Sequence, residues 1–93
     1  MSQVTFEEFS ARQRANGFDE VVERKWAPKV VLDSHTHPFS VEALVVQGEM
    51  WLGVGKDVRH LKPGDTFTLD REVPHSERYG PEGATYWAAR RNG

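Results

Sequence analysis

Cysteine is absent from these 93 residues. That one absence excludes disulfides, thiolate zinc sites and a cysteine nucleophile together. Long hydrophobic runs are missing too. No stretch approaches the ~20 apolar residues a membrane span needs, and no basic-then-apolar leader opens the chain. Charge of one sign is also scarce: twelve Lys and Arg against fourteen Asp and Glu leave a formal net charge of −2. Such a balance leaves no electrostatic footprint for nucleic acid. The expectation is a cytoplasmic protein with neither nucleic-acid nor membrane partners.

What is present suffices for one small folded unit. Hydrophobic residues make up 38% of the chain, among them three Trp, two Tyr and five Phe, and 28% of residues are charged. That composition supports a core and a soluble surface. A single domain over residues 1–93 is expected, with a helix at about 5–16 and strands at about 19–91.

Thr5 and Glu8 form a capping box before an amphipathic stretch, and Gly17 stands where a helix C′ residue belongs. Phe6 and Phe9, three apart, provide the apolar edge that docks this helix on a flank of the fold. Short β-prone runs follow at Asp19–Trp26, Lys29–His35, Val41–Gln47, Glu49–Val54, Asp57–Leu61, Thr66–Leu69, His75–Tyr79 and Ala84–Arg90. Gly48 is read as a hairpin turn, and Gly80-Pro81-Glu82-Gly83 as another. Many short strands with Gly/Pro turns indicate an all-β sandwich or barrel. The Gly55-Lys56 pair lacks the Walker spacing and is no phosphate loop.

Chemistry concentrates between Asp33 and Gly48. His35 and His37 are separated by one residue, which puts both imidazoles on the same face of a strand. On a helix they would diverge by about 200°, since each residue turns ~100°. Flanking Val30, Val31, Val41, Val45 and Val46 favour the strand. Two imidazoles side by side make half of a metal site. His75, at the start of a later strand, is the candidate for the other half. The alternative is a set of hydrogen-bonded strand histidines without metal. His60, next to a core Leu61, points outward.

The two blocks together resemble the cupin family, whose motifs run approximately G-x5-H-x-H-x(3,4)-E-x6-G and G-x5-P-x-G-x2-H-x3-N. His35, His37, Glu42 and Gly48 answer to the first, Gly64 and His75 to the second. The resemblance implies a small antiparallel, jelly-roll-like β-barrel with one N-terminal α-helix. Lys29 stands where the first motif has its leading Gly, and Asp70, Glu72 and Tyr79 replace Pro, Gly and Asn of the second. Glu42 is also out of step. Counted back from Gly48, the acidic slot falls on Val41, which sends Glu42 outward with Leu44 and Val46 unless a bulge resets the register.

If His75 faces inward, period two turns Glu77 and Tyr79 inward as well. Glu77 is then a fourth ligand, a carboxylate bonded to a ligand imidazole, or the base of a reaction with Tyr79 or Tyr86 as proton donors; otherwise it is a rim carboxylate paired with Arg78 or Arg90. Three imidazoles suit one borderline divalent ion, Fe, Ni, Zn, Mn or Cu. Phe39, Trp51, Phe67, Tyr86 and Trp87 are candidates for the pocket wall or for ordinary core.

Three uses of such a pocket remain open: a metal-dependent oxygenase or isomerase of a small molecule, a non-catalytic binding or sensing module, and a metal-free barrel acting through its dimer surface. A homodimer is expected by analogy with small cupins, with an outward Leu44–Val46 strip as its apolar content.

Overall fold

Alternation along the chain fixes two inner faces. Val41, Ala43 and Val45 point one way and are buried; Met50 and Leu52 continue that face beyond a glycine. The computed structural model describes residues 4–92 and shows these as parts of one long strand. The elements are α1 (Phe6–Ala15), β1 (Glu20–Trp26), β2 (Val31–His35), β3 (Ser40–Val54), β4 (Asp57–Leu61), β5 (Thr66–Leu69) and β6 (His75–Arg91).

All pairings are antiparallel, and β3 and β6 pair along nearly their full lengths. Around their first and last parts these two strands take different neighbours. The late half of β3 and early half of β6 lie between β4 and β2. The early half of β3 and late half of β6 lie between β5 and β1. Two four-stranded leaves thus share two strands and enclose the core, the jelly-roll-like arrangement expected from the sequence.

This corrects the expected hairpin at Gly48 and the expected turn at 80–83. Neither reverses the chain. Gly48 (φ 73°) and Gly83 (φ 75°) instead bend β3 and β6, and register shifts flank Gly48. The reason is steric. Gly48 lies opposite Ala84, and a Cβ on Gly48 would stand 2.1 Å from the Gly83 carbonyl oxygen. Only glycine admits both that contact and the positive φ, so the strand turns a corner here without leaving its partner.

The helix behaves as its sequence requires. The Thr5 hydroxyl accepts from Glu8 N–H at 3.1 Å, and the Glu8 carboxylate accepts from Thr5 N–H at 3.3 Å. Phe6 and Phe9 meet the Trp87 ring at centroid distances of 5.6 and 5.8 Å. Burying Phe9 almost completely contributes about 1.5–3 kcal/mol. Leu44 and Val46, the strip expected to serve a second copy, are half-buried and pack against the same cluster. Trp87 belongs there as well, its indole N–H donating to Glu23 at 3.0 Å. No helix among the described residues is long and apolar enough to cross a membrane.

Candidate metal centre

His35 closes β2 and His75 opens β6, and the two are cross-strand partners. Their ring centroids are 4.4 Å apart. Two residues past the end of β2, His37 keeps the same face and lies 5.0 Å from both rings. Its imidazole stacks on Phe39 at 4.9 Å, nearly parallel. The Glu72 N–H donates to the His37 carbonyl at 2.8 Å, tying the two histidine-bearing loops together. One nitrogen from each of His35, His37 and His75 lies within 4.8 Å of the others, so the three could hold a metal ion.

The hydrogen bonds settle which nitrogens face inward. His35 Nδ1 lies 2.7 Å from the Asp33 carbonyl and His75 Nδ1 lies 2.9 Å from the Val73 carbonyl, the same i−2 arrangement twice. A carbonyl only accepts, so each Nδ1 must donate. In the neutral rings Nε2 then carries a lone pair, which is the tautomer a metal requires. Facing them is Glu77, buried to 6% exposure, with Oε2 3.1 Å from His35 Nε2 and 3.8 Å from His75 Nε2. Lone pairs aimed at a carboxylate repel unless positive charge, a ring proton or a cation, comes between them. The donor set therefore fits a divalent ion chemically.

Protonation elsewhere follows burial. The His37 pKa lies below the ordinary histidine value, first because burial penalises the charged ring and then because His75 and His35 repel a second charge. Tyr79 is held well above the ordinary tyrosine range by burial, with Tyr86 and the Glu77 charge adding to it. It keeps its proton, and its hydroxyl donates to Glu77 Oε1. Tyr86 is raised by burial and then by Glu77.

The three imidazoles, Glu77 and Tyr86 wall a cavity of about 90 Å³ that opens to solvent. Glu77 is the one carboxylate on its lining, whereas Tyr79 stands behind Glu77 and reaches the hollow only through it. Of the aromatic candidates, Phe39, Phe67 and Tyr86 line it. Trp51 is on the outer face, where His60 stacks on it at 4.5 Å and bonds Glu49 at 2.8 Å. His60 is outward, as expected. Val41 lines the cavity and Glu42 lies on the opposite face, in a groove beside α1. Sequence reasoning missed Arg24 on the wall and took Arg90 only as a possible rim partner of Glu77. Period two from Trp26 and from Tyr86 places both inward, and that signal was available.

Comparison with known proteins agrees with this architecture. A family model described as AraC-like ligand binding domain matches residues 17–90. An RmlC-like cupin from Shewanella frigidimarina is 22% identical with a TM-score of 0.72, over 83% of this chain and 68% of that one. A conserved protein with a double-stranded β-helix domain from Klebsiella pneumoniae is 28% identical with a TM-score of 0.69, over 83% and 70%. An uncharacterized HTH-type transcriptional regulator of Haemophilus influenzae is 47% identical over 36 residues, 39% of this chain but 12% of that protein.

Proposed function

Since the chain belongs to the AraC-like ligand-binding domain family, of cupin type, we propose that it holds one divalent metal on His35, His37 and His75 and binds a small molecule beside it. The observation that supports this most is the pair of Nδ1–carbonyl bonds turning the His35 and His75 Nε2 lone pairs toward a third imidazole and a buried carboxylate. When bound, the ion supplies Lewis-acid chemistry and open coordination positions.

Glu77 makes this pocket suited to an enzyme of isomerase or oxygenase type. Its Oε1 accepts the Tyr79 hydrogen bond, which leaves Oε2 as the atom that accepts a proton from a bound molecule. Tyr79 positions that carboxylate, stacked in turn on Trp26 at 5.1 Å. A second reading, a non-catalytic ligand sensor, draws support from the family description and from the stretch shared with the Haemophilus regulator.

Metal analysis of protein purified without chelator, beside Glu77→Gln, tests both. A near-stoichiometric ion in the wild type supports the site, and none after reconstitution overturns it. Glu77→Gln should abolish turnover of any substrate found while the variant stays folded. Unchanged turnover removes Glu77 from the chemistry and leaves the sensor.

A further inference from the structure

Two guanidinium groups lie in the wall of a cavity that contains a single carboxylate, and among the described residues neither has an acidic partner or a hydrogen-bond acceptor. Arg24 lies over the Trp26 ring at 4.9 Å and Arg90 over the Phe39 ring at 4.8 Å. Other arginines of this chain stack as well, but differently. Arg91, over Phe18, gives its N–H groups to the Asn16 and Gly17 carbonyls, and Arg78, over Trp51, is exposed on the outer face. Arg24 and Arg90 are half-buried beside the hollow with their N–H groups unspent.

The register shows what lies between them. Arg24 pairs with Tyr86 and Val22 with Ala88, and Arg90 follows two residues along β6 on the same inner face. Ala88, the small residue between Tyr86 and Arg90 on that face of β6, lines the same cavity as the two arginines. Arg90 is also held next to the histidines, because the Phe39 ring under it is the one stacked on His37. Two arginines against one glutamate leave the wall with net positive charge, and a divalent ion adds to it. A half-buried cationic wall of this kind is stabilised by an anion that brings its own charge and acceptors. Beside the imidazoles and Tyr86, the lining offers the apolar side chains of Val41, Phe67, Leu69 and Ala88.

Resting on the metal site proposed above, we infer that the ligand is a small organic carboxylate, its anionic head held between Arg24 and Arg90 and its short carbon body against Val41 and Ala88. Arginine matches a carboxylate with paired N–H donors, and an apolar remainder is what distinguishes such an acid from inorganic phosphate.

Isothermal titration with acetate, lactate, malonate and succinate, against malonamide, succinamide and inorganic phosphate, tests this on metal-loaded and metal-free protein. At least one carboxylate should bind both forms and its neutral amide neither, with tighter binding when metal is present. Arg24→Gln and Arg90→Gln should each weaken it by about tenfold or more, the loss of a charge-assisted contact. Metal content should stay at the wild-type level in both variants, and each melting temperature shows that the variant is folded. Equal binding of acid and amide, no binding by any of the four acids, phosphate binding as well as the best acid, or indifference to both substitutions would overturn the inference. A wild type that takes up no divalent ion on reconstitution yet still selects carboxylates through the two arginines would sink the metal reading and leave this one standing.

Discussion

Truncating His37 is the cleanest way to read the metal site through stability. His75 is 3% exposed and bonds the Val73 carbonyl, so its removal damages the metal-free fold as well. His37 is half-buried, and its ring makes no hydrogen bond to the described residues. A ligand that binds only the folded state adds RT ln(1 + [L]/Kd), about 2.7 kcal/mol at one hundred times Kd. At roughly 4–8 °C per kcal/mol for a domain of this size, Zn(II) or Ni(II) at that level raises Tm by about 11–22 °C. Loss of groups that only orient metal ligands costs about 10–100-fold, so losing one nitrogen of three costs at least the upper figure. At the same metal concentration His37→Ala then retains about 0.4 kcal/mol, a shift of roughly 2–3 °C. Scanning calorimetry with and without metal measures both numbers, and His60→Ala, on the outer face, serves as the control. A wild type insensitive to every divalent ion, or a His37→Ala protein with the full shift, would refute the reasoning.

Three further outcomes are expected. Glu42→Gln leaves metal content and metal-linked Tm unchanged, because Glu42 lies on the face opposite the cavity; a loss of metal would show that the register has been misread. In metal-free protein the lowered His37 pKa makes stability fall as pH drops below about 6.5, since the unfolded chain takes up the proton first, and the loss is complete below the folded pKa. The Tm difference between wild type and His37→Ala should follow that slope between about pH 5 and 7, and a flat difference contradicts it. Gly48→Ala forces a Cβ to within 2.1 Å of the Gly83 oxygen at a φ of 73°. The left-handed backbone costs about 1–2 kcal/mol and the overpacking about 1–3, so Tm should drop by roughly 10 °C or more. A Tm unchanged within 2–3 °C, about half a kcal/mol, speaks against the corner.

How much of this was legible depended on the range of the interaction. The capping box at Thr5 and Glu8 is local, so its residues announce it. The inward pairing of His35 with His75 followed from two motif blocks and period two, as did the outward Glu42 counted from Gly48. Gly48 and Gly83 were misread because a glycine that bends a strand and one that ends it look alike along the chain. Only the facing backbone, Gly83 against Gly48, decides between them. The fate of Leu44 and Val46 was hidden for a similar reason. Their alternation shows an apolar outer strip, but that it joins the cluster of Phe9 and Trp87 depends on where the chain before β1 folds back. Arg24 was overlooked, and Arg90 placed only at the rim, because a charged residue on a strand is read by default as outward, although the inward rhythm of their neighbours said otherwise.

Because β3 and β6 each serve in both leaves, neither half of the molecule owns a complete set of backbone partners. Opening one leaf strips the neighbouring one, so the histidine end and the helix-covered end should melt in a single step. Amides along the middle of the two shared strands should exchange with solvent only when the whole domain unfolds. A proteolytic cut at the Pro81–Glu82 corner would accordingly disarm the imidazole cluster and loosen the helix in the same event.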